Sequence, residues 1–190
     1  MNIEIVKESR REVKTYVELM SGADSMLNKA ESGIEGGYYC IMSALTLCAF
    51  SFEAYLNHIG IKHFDLWTKD ARIPILEKYS IVCEKLSIES PDYSRGDCQR
   101  VRRLIRYRDT MAHGITQDLE LKKPVKKSEG DFSFVQRSEW EKFTVLENAQ
   151  KSIESTQRII NNINEAAGLG DYAFFSGHEV SRIEVKSLNK

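Results

Sequence analysis

The chain has 190 residues, which is enough for one domain with a sizeable core and hardly enough for two. It is 42% hydrophobic and 29% charged, with three prolines, a composition that excludes an intrinsically disordered protein. The formal net charge of −1 excludes a protein that coats nucleic acid through its overall charge, so any nucleic acid must be held by a local patch.

The first segment predicts an amphipathic helix that ends near Gly22. Its apolar residues recur at steps of three, four and seven: Ile3, Val6, Val13, Val17 and Met20. A short helical piece is expected next, before a group of glycines at residues 33–37 interrupts the pattern. The start of the sequence is charged and lacks the apolar core of a signal peptide, so we expect a cytoplasmic chain.

Residues 38–59 are apolar almost all the way round a helix, which predicts the central helix of a bundle. The longest apolar run contains hydroxyl residues and is too short to span a bilayer, so no membrane contact is expected. Glu53 is the one strong charge in this segment, and Gly60 permits a turn after it. The four cysteines show no Cys-x-x-Cys spacing, which favours reduced, buried thiols.

Two further helices are predicted in the middle of the chain. Residues 72–86 carry apolar side chains at helical spacing, and the loop over residues 90–97 is indicated by its proline, glycine and aspartate content. Asp97 is a good N-cap residue, so the next helix is expected to begin there and to run through Ile115.

The last long helix is marked at both ends. A polar, lysine-rich connection over residues 117–131 and a short extended piece, DFSFVQ, are expected before it. Ser138 and Glu141 form a capping box, and Gly168 closes the helix. The sequence therefore predicts an all-α fold, an antiparallel bundle of four to five long helices. One domain is predicted over residues 1–168, followed by a tail without a firm pattern over residues 169–190.

Arg108 lies in the middle of the apolar face of the helix predicted over residues 97–115. An arginine directed toward a core is costly unless it is paired or reaches solvent in a cleft. Glu53, the lone strong charge of the central helix, is the natural partner, and we hypothesise a Glu53–Arg108 ion pair that directs the guanidinium. The rest of the apolar face consists of Val101, Leu104, Ile105, Met111, Ala112 and Ile115.

Asp109 and His113 are four residues apart, which places them on one helix face within side-chain reach. A carboxylate beside an imidazole fixes its tautomer and raises its pKa, which suits an acid–base catalyst. Arg108 and His113 could then flank a small cleft from adjacent sides. The alternative is a solvated histidine beside an arginine whose stem packs while its head reaches water.

An arginine-dense run supplies the local patch that the balanced net charge requires. Residues 95–108 contain six arginines and one aspartate, a net charge of +5. The candidate RNA contacts are Arg102, Arg103 and Arg106, and Tyr107 could stack on a base or pack in the core. RNA held by such a patch binds more weakly as salt is added. The alternative is an ordinary solvated helix face.

A second cluster of chemically active side chains is weaker. His58 and His63 flank Gly60, and Asp65 follows. A metal site there would require both histidines to converge across a turn, with no cysteine at ligand spacing, so no metal site is predicted. The sequence also contains no phosphate-binding glycine-rich loop and no candidate nucleophile triad.

The segments SFEAYLNHIG, residues 51–60, and RYRDTMAHG, residues 106–114, together resemble the HEPN (higher eukaryotes and prokaryotes nucleotide-binding) domain superfamily. The second resembles the HEPN signature, an arginine and a polar residue followed by a histidine. The first is similar to the upstream helix of several branches, where a glutamate precedes an aromatic residue and often an asparagine. The motifs cover about residues 38–115, and the helix order agrees over most of the chain.

The resemblance implies a HEPN-like helical bundle that dimerises and joins two Arg–His motifs in one composite cleft. It implies a metal-independent ribonuclease without a cofactor, with Arg108, Asp109 and His113 as catalytic residues and Glu53 in support. RNA and a second copy of the chain are the implied partners, and an antitoxin or phage-defence partner protein is compatible with the family. Ile115 stands where the antitoxin-paired branch often has a tyrosine, which puts control by nucleotide transfer onto that position in doubt.

The side chains fit this chemistry by themselves. RNA cleavage by its own 2′-hydroxyl needs proton transfer near neutral pH, which imidazole supplies, and a guanidinium can stabilise the charge on the phosphorane. A second class of function stays open, a non-catalytic module of the same fold that binds RNA, nucleotide or a partner protein with Arg108 in a structural role. A third is a helical regulator that has no nucleic-acid partner.

Overall fold

The computed structural model describes residues 3–120, 136–175 and 179–187. These residues form a bundle of five long helices, which confirms the predicted all-α architecture, together with a two-stranded sheet from the terminal segments. Residues 121–131 of the predicted connection and 131–135 of the predicted extended piece lie outside the described residues. The long helices are α1 (Thr15–Glu31), α2 (Gly37–Asn57), α3 (Ile75–Leu86), α4 (Gly96–Ala112) and α6 (Leu146–Ala166); α5 (Glu139–Phe143) is short, and the strands are β1 (Ile3–Arg11) and β2 (Glu179–Ser187).

Helix α2 is the central helix, as its apolar composition predicts. It packs against α1, α3, α4 and α6, and its side chains from Ala44 to Leu56 supply much of the core. The helical segment continues to His63, and over Gly37–His63 it is long and apolar enough to cross a membrane by length and composition alone. A core helix passes the same test, so the length of the apolar run does not decide whether the chain meets a membrane.

The N-terminal segment departs from the predicted helix that ends near Gly22. Residues Ile3–Arg11 form β1, which pairs antiparallel with β2, and the first helix begins only at Thr15. Gly22 lies inside α1, at a point where α2 passes so close that a Cβ at this glycine would lie 3.2 Å from Leu47 Cδ1. The glycine therefore permits close packing of two helices and does not end one.

The tail after Gly168 returns to the bundle before it reaches β2. The Tyr16 hydroxyl donates a hydrogen bond to the Ala173 carbonyl at 2.9 Å, and the Ala173 N–H donates to Asn161 Oδ1 at 3.0 Å. Asn164 Nδ2 donates to the Gly170 carbonyl at 2.8 Å. These side chains pair with backbone groups of residues 169–175 and hold this segment against α1 and α6, where Ala173 is buried.

A π-helical turn, His58–His63, extends α2 where a simple turn at Gly60 was predicted. Gly60 is buried under the indole of Trp67, and a Cβ at this position would lie 2.2–2.7 Å from three indole atoms. Burial is the main cause that lowers the pKa of His58 to about 4 and also lowers the pKa of His63. Both imidazoles are therefore neutral at pH 7.

Helix α4 begins one residue earlier than predicted, with Arg95 at the N-cap position, so Asp97 is not the cap. The Asp97 carboxylate instead joins α4 to α6. It accepts hydrogen bonds from Arg158 Nε at 3.0 Å, Arg158 Nη2 at 2.8 Å and the Ser155 hydroxyl at 2.9 Å, and it also pairs with Arg100 at 3.1 Å. These bonds, chiefly those from Arg158, lower the pKa of Asp97 to about 2.

Replacing Asp97 with asparagine is expected to lower the free energy of unfolding by about 1.5 kcal/mol at pH 7. The difference between its pKa of about 2 and the ordinary value of 3.8 corresponds to about 2.4 kcal/mol, and solvent screening reduces this because the Arg158 and Asp97 side chains are 52% and 30% exposed. A lowered pKa stabilises the fold above about pH 4, and this contribution is lost as the pH falls toward 2. Urea titrations of both proteins across this range should therefore converge at the acid end. Glu154→Gln is the matched control, since Glu154 lies 3.7 Å from the same arginine and is worth less than about 1 kcal/mol. Equal stability of the Asp97 variant and the parent at pH 7 would contradict the prediction.

The final helix is interrupted where one continuous helix was predicted. The capping box of Ser138 and Glu141 is confirmed, but it opens only the five-residue α5. Val145 is extended, and α6 begins after it and ends before the left-handed Gly168, as predicted. All four cysteines are free, two buried and two half-buried.

Candidate active site

The predicted ion pair between the central helix and α4 is confirmed. Arg108 Nη2 donates to Glu53 Oε2 at 2.5 Å, and the two side chains keep only 19% and 25% of their surface exposed. The guanidinium carbon lies 5.3 Å from the centre of the Phe50 ring. Glu53 and Phe50, both on α2, therefore fix the position of the guanidinium.

The remaining donors of Arg108 are only partly used. Nη1 donates to Asp109 Oδ1 at 3.0 Å, and Nε is buried with no partner in the described part of the chain. A guanidinium has five N–H donors, so about two Nη hydrogens stay available to a further acceptor. Arg108 lines a cleft of about 250 Å³ whose wall consists of Glu53, Ile73, Pro74, Ile75, Leu76, Ile105, Arg108 and Asp109.

Lys78 belongs to this charge cluster, although it was not among the residues predicted from the sequence. Its ammonium donates to Asn57 Oδ1 at 2.9 Å and lies 3.7 Å from Glu53 Oε1, although the residue is buried. Lys78 follows Ile75 by three residues and precedes Val82 by four, a spacing that places it on the buried face of α3. A charged residue on the apolar face of a helix, the pattern that identified Arg108, was therefore present here too.

His113 is not in the cleft beside Arg108. Helix α4 ends at Ala112, and His113 is the exposed C-cap residue with φ −122° and ψ 33°. Because the backbone leaves the helical conformation here, the four-residue spacing no longer fixes where the imidazole lies. Among the described residues no hydrogen bond joins Asp109 to the imidazole, and the Asp109 carboxylate binds Arg108 instead.

The end of the predicted apolar face is also exposed. Ile115 keeps 84% of its surface exposed, Ala112 is exposed, and Met111 is only half-buried. Val101, Leu104 and Ile105 are buried as predicted. The structure therefore brings Glu53, Arg108 and Asp109 together and leaves His113 apart from them within one chain.

The arginine run divides between structural contacts and exposed charges. Arg95 pairs with Asp92 at 2.8 Å, and Arg100 pairs with Asp97. Arg103 and Arg106 are exposed and Arg102 is half-buried; for these three the described residues supply no ion pair. At about 100° per residue, Arg103 and Arg106 lie on the far side of α4 from Arg108. The patch and the Arg108 cleft are thus separate surfaces of one helix.

A groove of about 350 Å³ runs between α4 and α5, beside these exposed arginines. We call it the cationic groove; it is formed by Arg103, Arg106, Tyr107, Thr110, Glu139, Trp140, Lys142 and Phe143. Trp140 and Phe143 are both half-buried. The Arg103 guanidinium lies 5.3 Å from the centre of the Phe143 ring. The groove therefore combines aromatic rings with positive charge, which the sequence did not reveal because α5 is separated from α4 along the chain.

Tyr107 cannot stack on an RNA base from the position it occupies. It is 3% exposed, its ring lies 5.4 Å from that of Phe143, and its hydroxyl accepts a hydrogen bond from the Thr144 hydroxyl at 3.4 Å. Of the two predictions for Tyr107, base stacking is wrong and core packing is confirmed. Trp140 and Phe143 are the half-buried aromatic side chains of the cationic groove.

In the described part of the chain no group of three or more His, Cys, Asp and Glu side chains is arranged to hold a metal ion. Comparison of the chain with known protein families, with curated proteins and with solved structures finds no match.

Proposed function

We propose that the protein is a metal-independent endoribonuclease of the HEPN type, in which Arg108 and His113 are the catalytic residues. The observation that carries the proposal is Arg108 itself, which Glu53 holds beside a cleft with Nη donors to spare. A bidentate guanidinium is suited to phosphate recognition and to stabilising a pentavalent phosphorane. The residues that resemble the HEPN motif also support a ribonuclease.

The reaction needs one proton removed and one supplied. The 2′-hydroxyl of RNA loses its proton and attacks the adjacent phosphorus, the bond to the 5′-oxygen breaks, and that oxygen takes up a proton. The products are a 2′,3′-cyclic phosphate and a 5′-hydroxyl. His113 is proposed to exchange these protons, because imidazole is the side chain whose ordinary pKa is nearest to neutral pH. Asp109 is proposed to orient Arg108, to which it is hydrogen-bonded.

A second copy of the chain is proposed to complete this site. An acid–base group must come within hydrogen-bond distance of the reacting atoms, about 2.6–3.2 Å. Since His113 does not line the cleft of its own chain, the imidazole has to come from a partner copy. The apolar side chain of Ile115 near His113, and that of Phe50 over Arg108, are exposed and would be buried in such an interface. A role as a toxin or phage-defence effector, with an antitoxin or defence partner, rests on the HEPN resemblance alone.

Incubation of the purified protein with RNA in excess chelator tests the proposal. Cleavage that leaves 2′,3′-cyclic phosphate ends is expected. Cleavage that chelator abolishes would contradict the metal-independent mechanism, and intact RNA across diverse sequences and structures would contradict the enzyme.

A non-catalytic RNA-binding or partner-binding module of the same fold is the second candidate. It is favoured by the engagement of both Nη atoms of Arg108 with carboxylates, since such a fork can be purely structural. In that case Arg108→Ala disrupts folding, and the parent protein binds RNA or a partner protein but does not cleave RNA.

The cationic groove is expected to hold the RNA backbone in either case. Arg103→Ala combined with Arg106→Ala should weaken binding of single-stranded RNA and lower the slope of log affinity against log salt by about 1.4, because each single-strand phosphate contact contributes about 0.7. Fluorescence anisotropy at several salt concentrations measures both quantities. Arg95→Ala is the matched control, since this arginine on the same run pairs with Asp92 away from the groove. An unchanged slope in the double variant would remove the groove from RNA binding.

A further inference from the structure

The π-helical turn brings together two histidines that an α-helix would separate. His58 and His63 are five residues apart, and the i to i+5 hydrogen bonding of a π-helix places such residues above one another. Their Nε2 atoms are 3.2 Å apart. The ring centres are 4.8 Å apart and the ring planes are inclined by 67°, so the imidazoles meet through their nitrogen edges and do not stack.

This separation matches the spacing that a shared metal ion imposes. Zinc binds imidazole nitrogen at about 2.0–2.1 Å, so two ligands at a tetrahedral angle have nitrogens about 3.3 Å apart. We propose that His58 and His63 form a binding site for one divalent transition-metal ion of the class that prefers imidazole, Zn²⁺, Cu²⁺ or Ni²⁺. The condition that the two histidines converge across a turn is met by the fold.

The surroundings hold the two rings in place. The Tyr16 ring lies 5.1 Å from that of His58, and Tyr16 is itself fixed by its hydrogen bond to the Ala173 carbonyl. His58 is half-buried and His63 is exposed, so one ligand is rigid and the other is open to entry from solvent. Ordered partners behind a ligating histidine raise metal affinity because the ring needs no reorientation.

The nitrogen ligands, and not the charges nearby, set which ions can bind. Lys62 carries a positive charge next to His63 but is paired with Glu12, and Lys14 adds a second positive charge close to both rings. Within the described residues no third protein ligand joins the pair, so water or an added small ligand fills the remaining positions. Mg²⁺ and Ca²⁺ require oxygen ligands, which makes them poor occupants.

Calorimetric titration of the untagged, metal-free protein with Zn²⁺ tests the site, and Cu²⁺ electron paramagnetic resonance counts its nitrogen ligands. One Zn²⁺ per chain and two coordinated nitrogens are expected, with no binding of Mg²⁺. His63→Ala and His58→Gln should each weaken Zn²⁺ binding by at least about tenfold, since even the outer partners of metal ligands are worth that much. A rise in Tm with Zn²⁺ should disappear in both variants.

His113→Ala is the matched control, because it removes an exposed histidine elsewhere and should leave Zn²⁺ binding unchanged. Circular dichroism checks that each variant is folded. Should His58→Gln fail to fold, His63→Ala decides alone, since its side chain is exposed. Unaltered binding in His63→Ala, or no Zn²⁺ binding by the parent protein, would overturn the proposal and leave a hydrogen bond between two neutral imidazoles. None of these readouts depends on RNA cleavage, so the metal-site proposal is tested independently of the ribonuclease proposal.

Discussion

Replacing His113 with alanine is expected to lower the rate of RNA cleavage by about 10²- to 10⁴-fold, the usual worth of an acid–base group. The free energy of unfolding should change by less than about 0.5 kcal/mol, because the side chain is exposed at the end of α4. Cleavage kinetics and urea unfolding of the same preparation measure the two quantities. A variant that is folded and fully active would remove His113 from the mechanism.

A mixing experiment decides whether the site is composite. In a symmetric dimer that pairs Arg108 of one copy with His113 of the other, mixing inactive Arg108→Ala and His113→Ala chains creates one intact site in each mixed dimer. Random exchange of equal amounts should therefore restore about one quarter of the parent activity. His113→Ala mixed with the double variant is the control and should stay inactive. Absence of recovery between chains that demonstrably exchange would show that both residues act within one chain.

Replacing Arg108 with alanine is expected to lower the cleavage rate by about 10²- to 10³-fold, the cost of removing one donor that stabilises transition-state charge. Unlike His113→Ala, it should also reduce stability, because Glu53 loses its 2.5 Å partner inside the bundle. Breaking a buried ion pair costs about 3–5 kcal/mol, and Lys78 and partial exposure reduce the loss here to about 2 kcal/mol. Cleavage kinetics and denaturant unfolding separate the two effects.

Arg108→Lys is the matched variant for this prediction. Lysine keeps the positive charge beside Glu53 but lacks the planar fork, so most of the stability should return while the rate stays low. If Arg108→Lys restored both the stability and the cleavage rate, the positive charge alone would matter and the planar fork would not. The ion pair would lose its assigned role if Glu53→Ala left stability and Arg108-dependent cleavage unchanged.

Much of the helical architecture could be predicted from the sequence because helix periodicity is local. The buried face of α4 up to Arg108 and the central place of α2 follow from apolar residues at helical spacing. The Glu53–Arg108 pair was also predictable, since a single charge on an otherwise apolar helix needs a partner. The same reasoning applied to α3 would have found Lys78.

Other features depended on contacts that no local pattern reveals. β1 is paired with β2 from the opposite end of the chain, with Glu4 opposite Lys186 and Glu8 opposite Arg182 in the register. The apolar residues of β1, Ile3 and Val6, also fit a helical spacing, and only pairing with the distant β2 makes this segment a strand. Gly60 resembles a turn residue until the indole of Trp67 is placed against it.

The sequence by itself determined that the chain folds as a helical bundle, which helix is central and which two opposite charges must meet, because side-chain spacing and the cost of burying charge act along a single helix. Only the tertiary structure decided that His113 lies apart from Arg108, that Trp140 enters the cationic groove, and that His58 meets His63. Each of these depends on where a helix ends or widens, or on how separate segments pack. Such features follow from the balance of contacts across the whole bundle.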